Sequence, residues 1–370
     1  MRIKIIDLPG YYTNARAIES RLRASLLKIR KRSIARDLIG DDDRSKEFDV
    51  SDFDAFADEL SNGQELTAYD EHRISVRADR LAKCRAAASG ISHLKKEEME
   101  RLRPVLNGVE LVMARDEHWA DEVAAAIHED MPWMAPATEH AWHQLRRAAR
   151  RGEAAQIGPM LLNGAPGIGK TVWARSLAKY LRVPMVDLDA SKGGSGNALV
   201  GVERGWSTTL PGLPLDTILI RRIANPVVVV DEICKAHATI STRGSVHAFA
   251  DALLSLLEAG TAKVWDCPHF RLKFDMSHIS WVLTSNTLWK VPEPVRSRCQ
   301  VIEIPDITDE QLIAFARRQC RNAGIGEDAM EAVLEAIQQA SRVSGHRISL
   351  RDVVRMVERA EVLEARPRVQ

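Results

Sequence analysis

After Pro132, short apolar runs alternate with stretches whose apolar residues recur at helical spacing. Each run is rich in β-branched residues and is bounded by turn residues, which predicts a strand. The five runs lie at 159–165, 184–190, 226–233, 279–286 and 300–306. The four valines at 227–230 leave no polar face, which is typical of a strand buried on both sides. The alternation predicts an α/β fold in which a parallel sheet is covered by helices.

The strand pattern stops after Pro305. Thr308 and Gln311 form a capping-box pattern. It opens the first of three predicted helices, at 309–320, 327–342 and 348–365. Before Pro132 the pattern is polar and helical. We therefore predict three domains: a mostly helical N-terminal domain (1–125), a large α/β domain (126–306) and a small helical domain (307–370).

The N-terminal domain contains a strongly charged segment. Residues 21–36 carry seven basic and no acidic side chains, and residues 37–60 carry ten acidic and two basic ones. Apolar residues recur in the basic stretch near helical spacing, at Leu22, Leu26, Ile29 and Ile34. This spacing predicts an amphipathic helix. The favoured interpretation is a solvated helix neutralised by the acidic run; the alternative is a patch for nucleic acid or an acidic partner.

Composition excludes several classes of protein. The 370 residues are nearly balanced in charge, with 52 Lys and Arg against 51 Asp and Glu, so no global field favours nucleic acid or membrane. Five cysteines without close pairing fit a reducing compartment. No run of 18 apolar residues occurs, and the N-terminus lacks the apolar core of a signal peptide. We expect a cytoplasmic protein without a membrane segment.

The strongest chemical signal lies between the first predicted strand and the helix after it. The segment reads Gly164, Ala165, Pro166, Gly167, Ile168, Gly169, Lys170, Thr171 and fits G-x-x-x-x-G-K-[ST]. In such a loop, backbone N–H groups surround the phosphates and the helix N-terminus adds positive potential. Lys170 is expected to reach the β- and γ-phosphates, and the Thr171 hydroxyl to bind Mg²⁺. The predicted ligands are ATP and Mg²⁺.

Polar side chains end two of the other predicted strands. Asp231 and Glu232 follow the valine run, and Asn286 follows the apolar strand at 279–283. We expect Asp231 to hold Mg²⁺ through water and Glu232 to act as general base on the attacking water. Asn286 can orient that water. Of Arg296 and Arg298, before the last strand, one can act across a subunit boundary as an arginine finger.

In this order, the segments GAPGIGKT, VVVVDEICK, WVLTSNT and PEPVRSRCQVIEI resemble an AAA+ ATPase, and more narrowly the ATPase module of Lon-type proteases. The similarity runs from about Met131 to about Arg359. It implies an AAA+ P-loop domain with a helical lid. It also implies that Arg298 is the trans-acting finger and that Arg351, or less favourably Arg347, is the sensor arginine of the lid.

The resemblance also implies a motor. Trp206, in GVERGWSTTLPG, resembles the aromatic residue of a pore loop that grips a threaded polypeptide. A Lon protease continues into a proteolytic domain, whereas 19 residues follow Arg351, so we expect no intrinsic protease activity. The expected protein is a homo-oligomeric ring, a hexamer, that hydrolyses ATP to remodel or unfold a protein substrate. Partner recognition is assigned to residues 1–125.

Two alternatives remain open at this stage. One is a nucleic-acid-associated ATPase, such as a loader or a mobile-element or defence component, supported by the basic segment 21–36. The other is a nucleotide-gated adaptor with little turnover. Glu232, Asn286 and Arg298 argue against the adaptor, because a binding module has no need of hydrolytic residues.

Overall fold

The computed structural model describes residues 1–6, 15–39, 66–88, 91, 93–192, 195–203, 210–236, 238–240, 246–343 and 348–365. The chain divides into two compact units, one made of Met1–Ile6 and Glu97–Gln370 and the other of Asp7–Lys96. The strands are β1 (Arg2–Ile3), β2 (Val109–Glu110), β3 (Met160–Asn163), β4 (Met185–Asp189), β5 (Val227–Asp231), β6 (Ala238–Ile240), β7 (Val246–Ala248), β8 (Trp265–Cys267), β9 (Leu272–Phe274), β10 (Ser280–Ser285) and β11 (Gln300–Glu303).

The helices in the described residues are α1 (Ala15–Ile39), α2 (Ala68–Ala88), α3 (Lys96–Leu102), α4 (Glu117–Asp130), α5 (Ala135–Arg151), α6 (Lys170–Leu181), α7 (Ser195–Val200), α8 (Leu213–Arg221), α9 (Phe249–Leu257), α10 (Ala259–Ala262), α11 (Glu293–Arg296), α12 (Asp309–Ala323), α13 (Glu327–Val343) and α14 (Leu350–Glu364). None of them has the length and apolar character needed to cross a membrane.

The larger unit is built on a five-stranded sheet in the order β11-β3-β10-β5-β4. All four pairings are parallel, which confirms the predicted α/β class. Val227–Val230 of the inner strand β5 are fully buried, as the unbroken valine run predicts. Helix α6 packs on β5 and β10. Because every strand runs the same way, the carboxyl ends of β3, β5 and β10 meet at one edge of the sheet.

Residues 97–125 lie in the larger unit, although the sequence pattern groups them with the N-terminal region. The reason is a long-range pairing: β1 is antiparallel to β2, with Ile3 opposite Val109, and α4 packs against α5. A pairing between two-residue strands more than a hundred positions apart has no periodic signature. The domain limits at 125 and 306 stay predictions.

Helices α12, α13 and α14 pack on one another after the last strand. The predicted capping box is confirmed: Thr308 accepts from the Gln311 N–H, and Gln311 accepts from the Thr308 N–H. A second box, of Ser349 and Asp352, opens α14. The buried faces of these helices join the same apolar core as the sheet.

The smaller unit contains α1 and α2 packed side by side. The basic segment 21–36 is helical, as predicted, but its apolar positions are poorly covered: Leu22 and Leu26 are half-buried and Ile29 is 60% exposed. The structure describes the backbone of Ile34 but not its side chain. Arg23 and Arg30 pair with Glu71 and Asp70 of α2, each at 2.7 Å. Carboxylates of α2 therefore neutralise these two arginines.

Candidate active site

The loop Gly164–Thr171 connects β3 to α6 at the carboxyl edge of the sheet. Gly167 and Gly169 have φ values of +79° and +93°, which side-chain-bearing residues rarely adopt. A Cβ at Gly167 would lie 2.8 Å from the Ser349 Cβ, so this glycine also permits close approach of the lid. The loop is thus held between the sheet edge and the start of α14.

Lys170, the first residue of α6, points back into the loop. Its Nζ donates to the carbonyl oxygens of Gly164 (2.7 Å) and Ala165 (2.9 Å) and to Asn286 Oδ1 (2.8 Å). Burial lowers the pKa of Lys170 to about 8, and the nearby Asp231 carboxylate opposes that shift. The result is a desolvated cation held at the N-terminus of a helix, an arrangement that favours a polyanion.

Asn286 follows directly after β10, beside the loop. Its amide oxygen accepts from Lys170, and the neighbouring Ser285 carbonyl accepts from the Gly164 N–H at 3.2 Å. The predicted proximity of Asn286 to the glycine-rich loop is therefore present in the structure. Its role toward a water molecule stays a prediction.

Asp231 and Glu232 lie at the end of β5, next to β10 in the sheet. The Thr284 hydroxyl donates to Asp231 Oδ1 and accepts from the Glu232 N–H at 3.1 Å. Glu232 has a φ of +55°, the left-handed region that non-glycine residues rarely adopt. Its carboxylate accepts from Lys235 Nζ at 2.7 Å. These contacts give the two acids different surroundings although they are adjacent in sequence.

These residues open onto one cavity of about 630 Å³. Gly167–Thr171, Asp231, Glu232 and Asn286 line one wall, and Leu350, Arg351 and Val354 of α14 line another. A volume of this size is in the range of small-molecule and cofactor sites. Arg351 thus shares a cavity with Lys170, whereas Arg347 lies outside the described residues.

The other end of the cavity was not predicted from the sequence. It is lined by Met131 and Trp133, before α5, and by Phe315 and Arg318 of α12. Trp133 donates from Nε1 to the Ile168 carbonyl at 2.9 Å, and its ring meets Phe315 edge-on at 5.8 Å. One indole therefore contacts both the glycine-rich loop and helix α12. The sequence signal for Trp133 was its place in PWM, within the predicted α/β domain and just where the strand pattern begins.

One predicted site residue, Arg298, lies elsewhere. Arg298 does not line the cavity; it donates to the Pro294 carbonyl at 3.0 Å and lies 3.5 Å from Glu258. Trp206, the predicted pore-loop residue, lies outside the described residues. A role for Arg298 in this cavity of its own chain is therefore not supported by the geometry.

The donors in the cavity fit a magnesium ion. Thr171 offers a hydroxyl and Asp231 a carboxylate, and Mg²⁺ is commonly bound by one or two such groups together with substrate phosphates. In the part of the chain that the structure describes, no cluster of three or more His, Cys, Asp or Glu side chains forms a separate metal site. Thr171 and Asp231 are therefore the residues suited to hold the ion.

Comparison with known proteins matches the central part of the chain to a family model. The model of the ATPase family associated with various cellular activities (AAA) matches residues 160–306, from the first residue of β3 to just beyond β11. The parallel sheet and the glycine-rich loop described above lie within this match. This part of the chain resembles an AAA+ ATPase module.

The AAA+ module is similar to Lon proteases over about half of the chain. Lon protease of Desulforamulus reducens is 28% identical over 200 residues, covering 51% of this chain and 24% of the relative. Peroxisomal Lon protease homolog 2 of Oryza sativa subsp. indica is 31% identical over 162 residues, covering 44% and 18%. The chain spans about a quarter or less of the length of these relatives. The predicted Lon-type resemblance is confirmed.

Among solved structures, a cryo-EM reconstruction of Hsp104 in its closed state, with ATPγS and FITC casein, aligns with a TM-score of 0.49. The sequence identity is 14%, and the alignment covers 76% of this chain and 50% of that one.

Proposed function

We propose that this protein is a Mg²⁺-dependent ATP hydrolase that works as a ring and remodels or unfolds a protein substrate. The observation that carries the proposal is the convergence of Lys170, Asp231, Glu232, Asn286 and Arg351 on one cavity beside a glycine-rich loop. Phosphoryl transfer needs little covalent participation by the enzyme, so positioned charge of this kind supplies most of the catalysis.

Each group has a distinct task in this proposal. The loop N–H groups bind the β- and γ-phosphates, and Lys170 exchanges its carbonyl partners for phosphate oxygens. Asn286, already bonded to Lys170, orients the attacking water, and Arg351 neutralises charge from the lid side. Thr171 and Asp231 would hold Mg²⁺, which supplies positive charge to the phosphates when it is bound.

Glu232 is the proposed general base. Its carboxylate is ion-paired with Lys235 at 2.7 Å, and that pair is on the protein surface, where such contacts are weak. Releasing Lys235 therefore costs little and frees a carboxylate oxygen to accept a proton from water. The backbone of Glu232 need not move, because its N–H is held by Thr284.

Arg298 is the proposed finger that completes the site of a neighbouring subunit. Its exposed position outside the cavity of its own chain supports a role in trans. The weak contact to Glu258, at 3.5 Å, leaves the guanidinium able to change partners. We expect the ring to be a hexamer, and we expect hydrolysis to depend on assembly because the finger comes from another copy.

A protein substrate is supported by the similarity to Lon proteases. In this proposal Trp206 contacts the threaded chain, and residues 1–125 recognise the partner. We place the protein in the cytoplasm. Nucleic acid is not favoured as the substrate, because Arg23 and Arg30 of the basic helix are paired with carboxylates of α2.

The test is the ATPase rate as a function of protein concentration, with mass photometry in ATP. We expect activity to rise with assembly. Arg298→Ala should assemble but lose about 10³–10⁵ in rate, the usual contribution of an arginine finger. Arg317→Ala, which removes an exposed arginine of α12, is the matched control and should hydrolyse like the wild type.

A wild type that is fully active as a monomer, with Arg298 dispensable, would contradict the shared-site ring. The protein would then be better described as a switch or adaptor ATPase.

A further inference from the structure

Thr284 is a buried residue of β10, 1% exposed, two positions before Asn286. Its hydroxyl lies between the two acids at the end of the neighbouring strand β5. It donates to Asp231 Oδ1 and accepts from the Glu232 N–H at 3.1 Å. A hydroxyl has one proton to donate. Thr284 donates that proton to Asp231, and a lone pair of the same oxygen accepts from the Glu232 N–H.

The three residues Thr284, Ser285 and Asn286 act on different parts of the site edge. The Asn286 amide oxygen accepts from Lys170, and the Ser285 hydroxyl accepts from the Thr287 N–H at 3.0 Å. Of the three residues, Thr284 is therefore the one that contacts Asp231 and Glu232. This link crosses between adjacent strands, since β10 pairs with β5 in register from Ser280 to Leu283. The contact therefore depends on the sheet rather than on a flexible loop.

The Glu232 backbone needs such a contact. Its φ of +55° is unfavourable for a side-chain-bearing residue and persists only where surrounding contacts hold it. The Thr284 oxygen supplies one contact from outside the local turn, and the Lys235 N–H, bonded to the Glu232 carbonyl at 2.8 Å, supplies one within it.

We propose that Thr284 is a positioning residue for ATP hydrolysis. Its hydroxyl fixes the Asp231 carboxylate toward the ion and holds the Glu232 backbone in place. The Glu232 side chain can then release Lys235 and accept a hydrogen bond from water without a movement of its backbone. The inference rests on the proposed hydrolase function. Thr284 touches neither substrate nor water in this role. A displacement of about 1 Å in such groups can reduce a rate by about 10²-fold.

Four variants separate the hydroxyl from the packing. Thr284→Val keeps the shape and removes the hydroxyl, and Thr284→Ser keeps the hydroxyl and removes a methyl group. Thr284→Ala, compared with Thr284→Ser, tests the hydroxyl again if the valine variant does not fold. Ser280→Ala is the matched control, because it removes a fully buried hydroxyl at the opposite end of the same strand, bonded to the Ile157 N–H.

The measurements are kcat, the Mg²⁺ concentration for half-maximal activity, the Kd for a fluorescent ATP analogue, and Tm. We expect Thr284→Val to lower kcat about 10–100-fold and to raise the Mg²⁺ requirement, with the Kd of the analogue changed less than about threefold. Thr284→Ser should stay within about threefold of the wild type in kcat, and Thr284→Ala should fall well below Thr284→Ser. Ser280→Ala should lower Tm without affecting kcat.

A different pattern would overturn the proposal. If Thr284→Val hydrolyses ATP like the wild type and Thr284→Ser does not, packing rather than the hydroxyl matters, and the hydrolase function still stands. If the wild type does not hydrolyse ATP, or if Lys170→Ala hydrolyses ATP as fast as the wild type, the proposed hydrolase function is wrong and the proposed role of Thr284 is wrong with it.

Discussion

Lys170 and Arg30 are both cations bonded to oxygen acceptors, but they differ in their surroundings. Lys170 is 7% exposed and its partners are two carbonyl oxygens and a neutral amide. Arg30 lies on the smaller unit, partly exposed, and its partner is the Asp70 carboxylate. Among the described residues, the hydrogen-bond partners of the buried cation are neutral oxygens, so this cation favours an added anion, whereas the surface cation is already neutralised. Position rather than net charge separates a binding site from a solvated helix.

The largest effect expected in the cavity comes from Glu232. Glu232→Gln keeps the shape of the side chain and removes its basicity, so kcat should fall about 10²–10⁴-fold. Binding of ATP should be retained, because in the proposed site the loop and Lys170 hold the phosphates. Single-turnover hydrolysis and analogue binding, measured together, check both statements. Glu310→Gln, an exposed change on α12, is the control and should have no effect.

Equal loss of binding and of turnover in Glu232→Gln would place this residue in nucleotide binding rather than in proton transfer.

A smaller effect is expected from pH. The pKa of Lys170 is lowered to about 8 by burial, so the side chain loses its charge as the pH rises through that value. Phosphates favour the charged form, so ATP affinity should weaken above pH 8, by up to about tenfold per pH unit, and binding there should take up a proton. Calorimetry in buffers of different ionisation enthalpy measures that uptake.

Lys170→Arg sharpens this pH prediction, because a guanidinium stays charged over the whole range. It should bind ATP more weakly but without the pH dependence near 8. A wild type whose ATP affinity is constant from pH 7 to 9.5 would show that Lys170 keeps its proton over this range. Lys170 and Arg30 would then differ in their contacts but not in how readily they lose their charge.

The smallest effect is expected on the smaller unit. Arg30→Ala removes a partly exposed ion pair, and such pairs contribute little to stability. Tm should change by no more than about 2 °C, and the ATPase rate should not change. Salt-dependent nucleic-acid binding that is lost in Arg30→Ala would contradict this expectation and would restore the nucleic-acid interpretation of the basic helix.

Local patterns predicted the five strands of the parallel sheet, the glycine-rich loop and the capping box of Thr308 and Gln311, because each depends on residues close together in the sequence. The short strands β1, β2 and β6 to β9 were not predicted. The links made by Thr284 and Trp133 were missed for the opposite reason. Thr284 contacts Asp231 and Glu232 because β10 lies beside β5 in the sheet, although more than forty residues of sequence separate these two strands. Sheet order of this kind is not encoded by any spacing in the chain.

The amphipathic interpretation of residues 21–36 shows the same limit. Leu22, Leu26 and Ile29 recur near helical spacing, yet they are half-buried or exposed, and Ile18, outside the predicted segment, is the buried residue. The periodicity predicted the helix but not how deeply its apolar side chains are buried, because their burial depends on the partner helix α2. The pairing of Arg30 with Asp70 of α2 has the same origin; the side chains of the acidic run at 37–60 lie outside the described residues.

The approach of Gly167 to Ser349 restricts which mutations the two positions can accept. An added Cβ at 167 would need space that the Ser349 side chain occupies, 2.8 Å away. The Ser349 hydroxyl caps α14, so a smaller residue at 349 removes the side-chain hydrogen bond of the cap. A side chain at 167 therefore needs a smaller residue at 349, and the φ of +79° at 167 adds backbone strain. The two positions therefore form a coupled pair, in which the nucleotide loop limits the substitutions open to the lid and the lid limits those open to the loop.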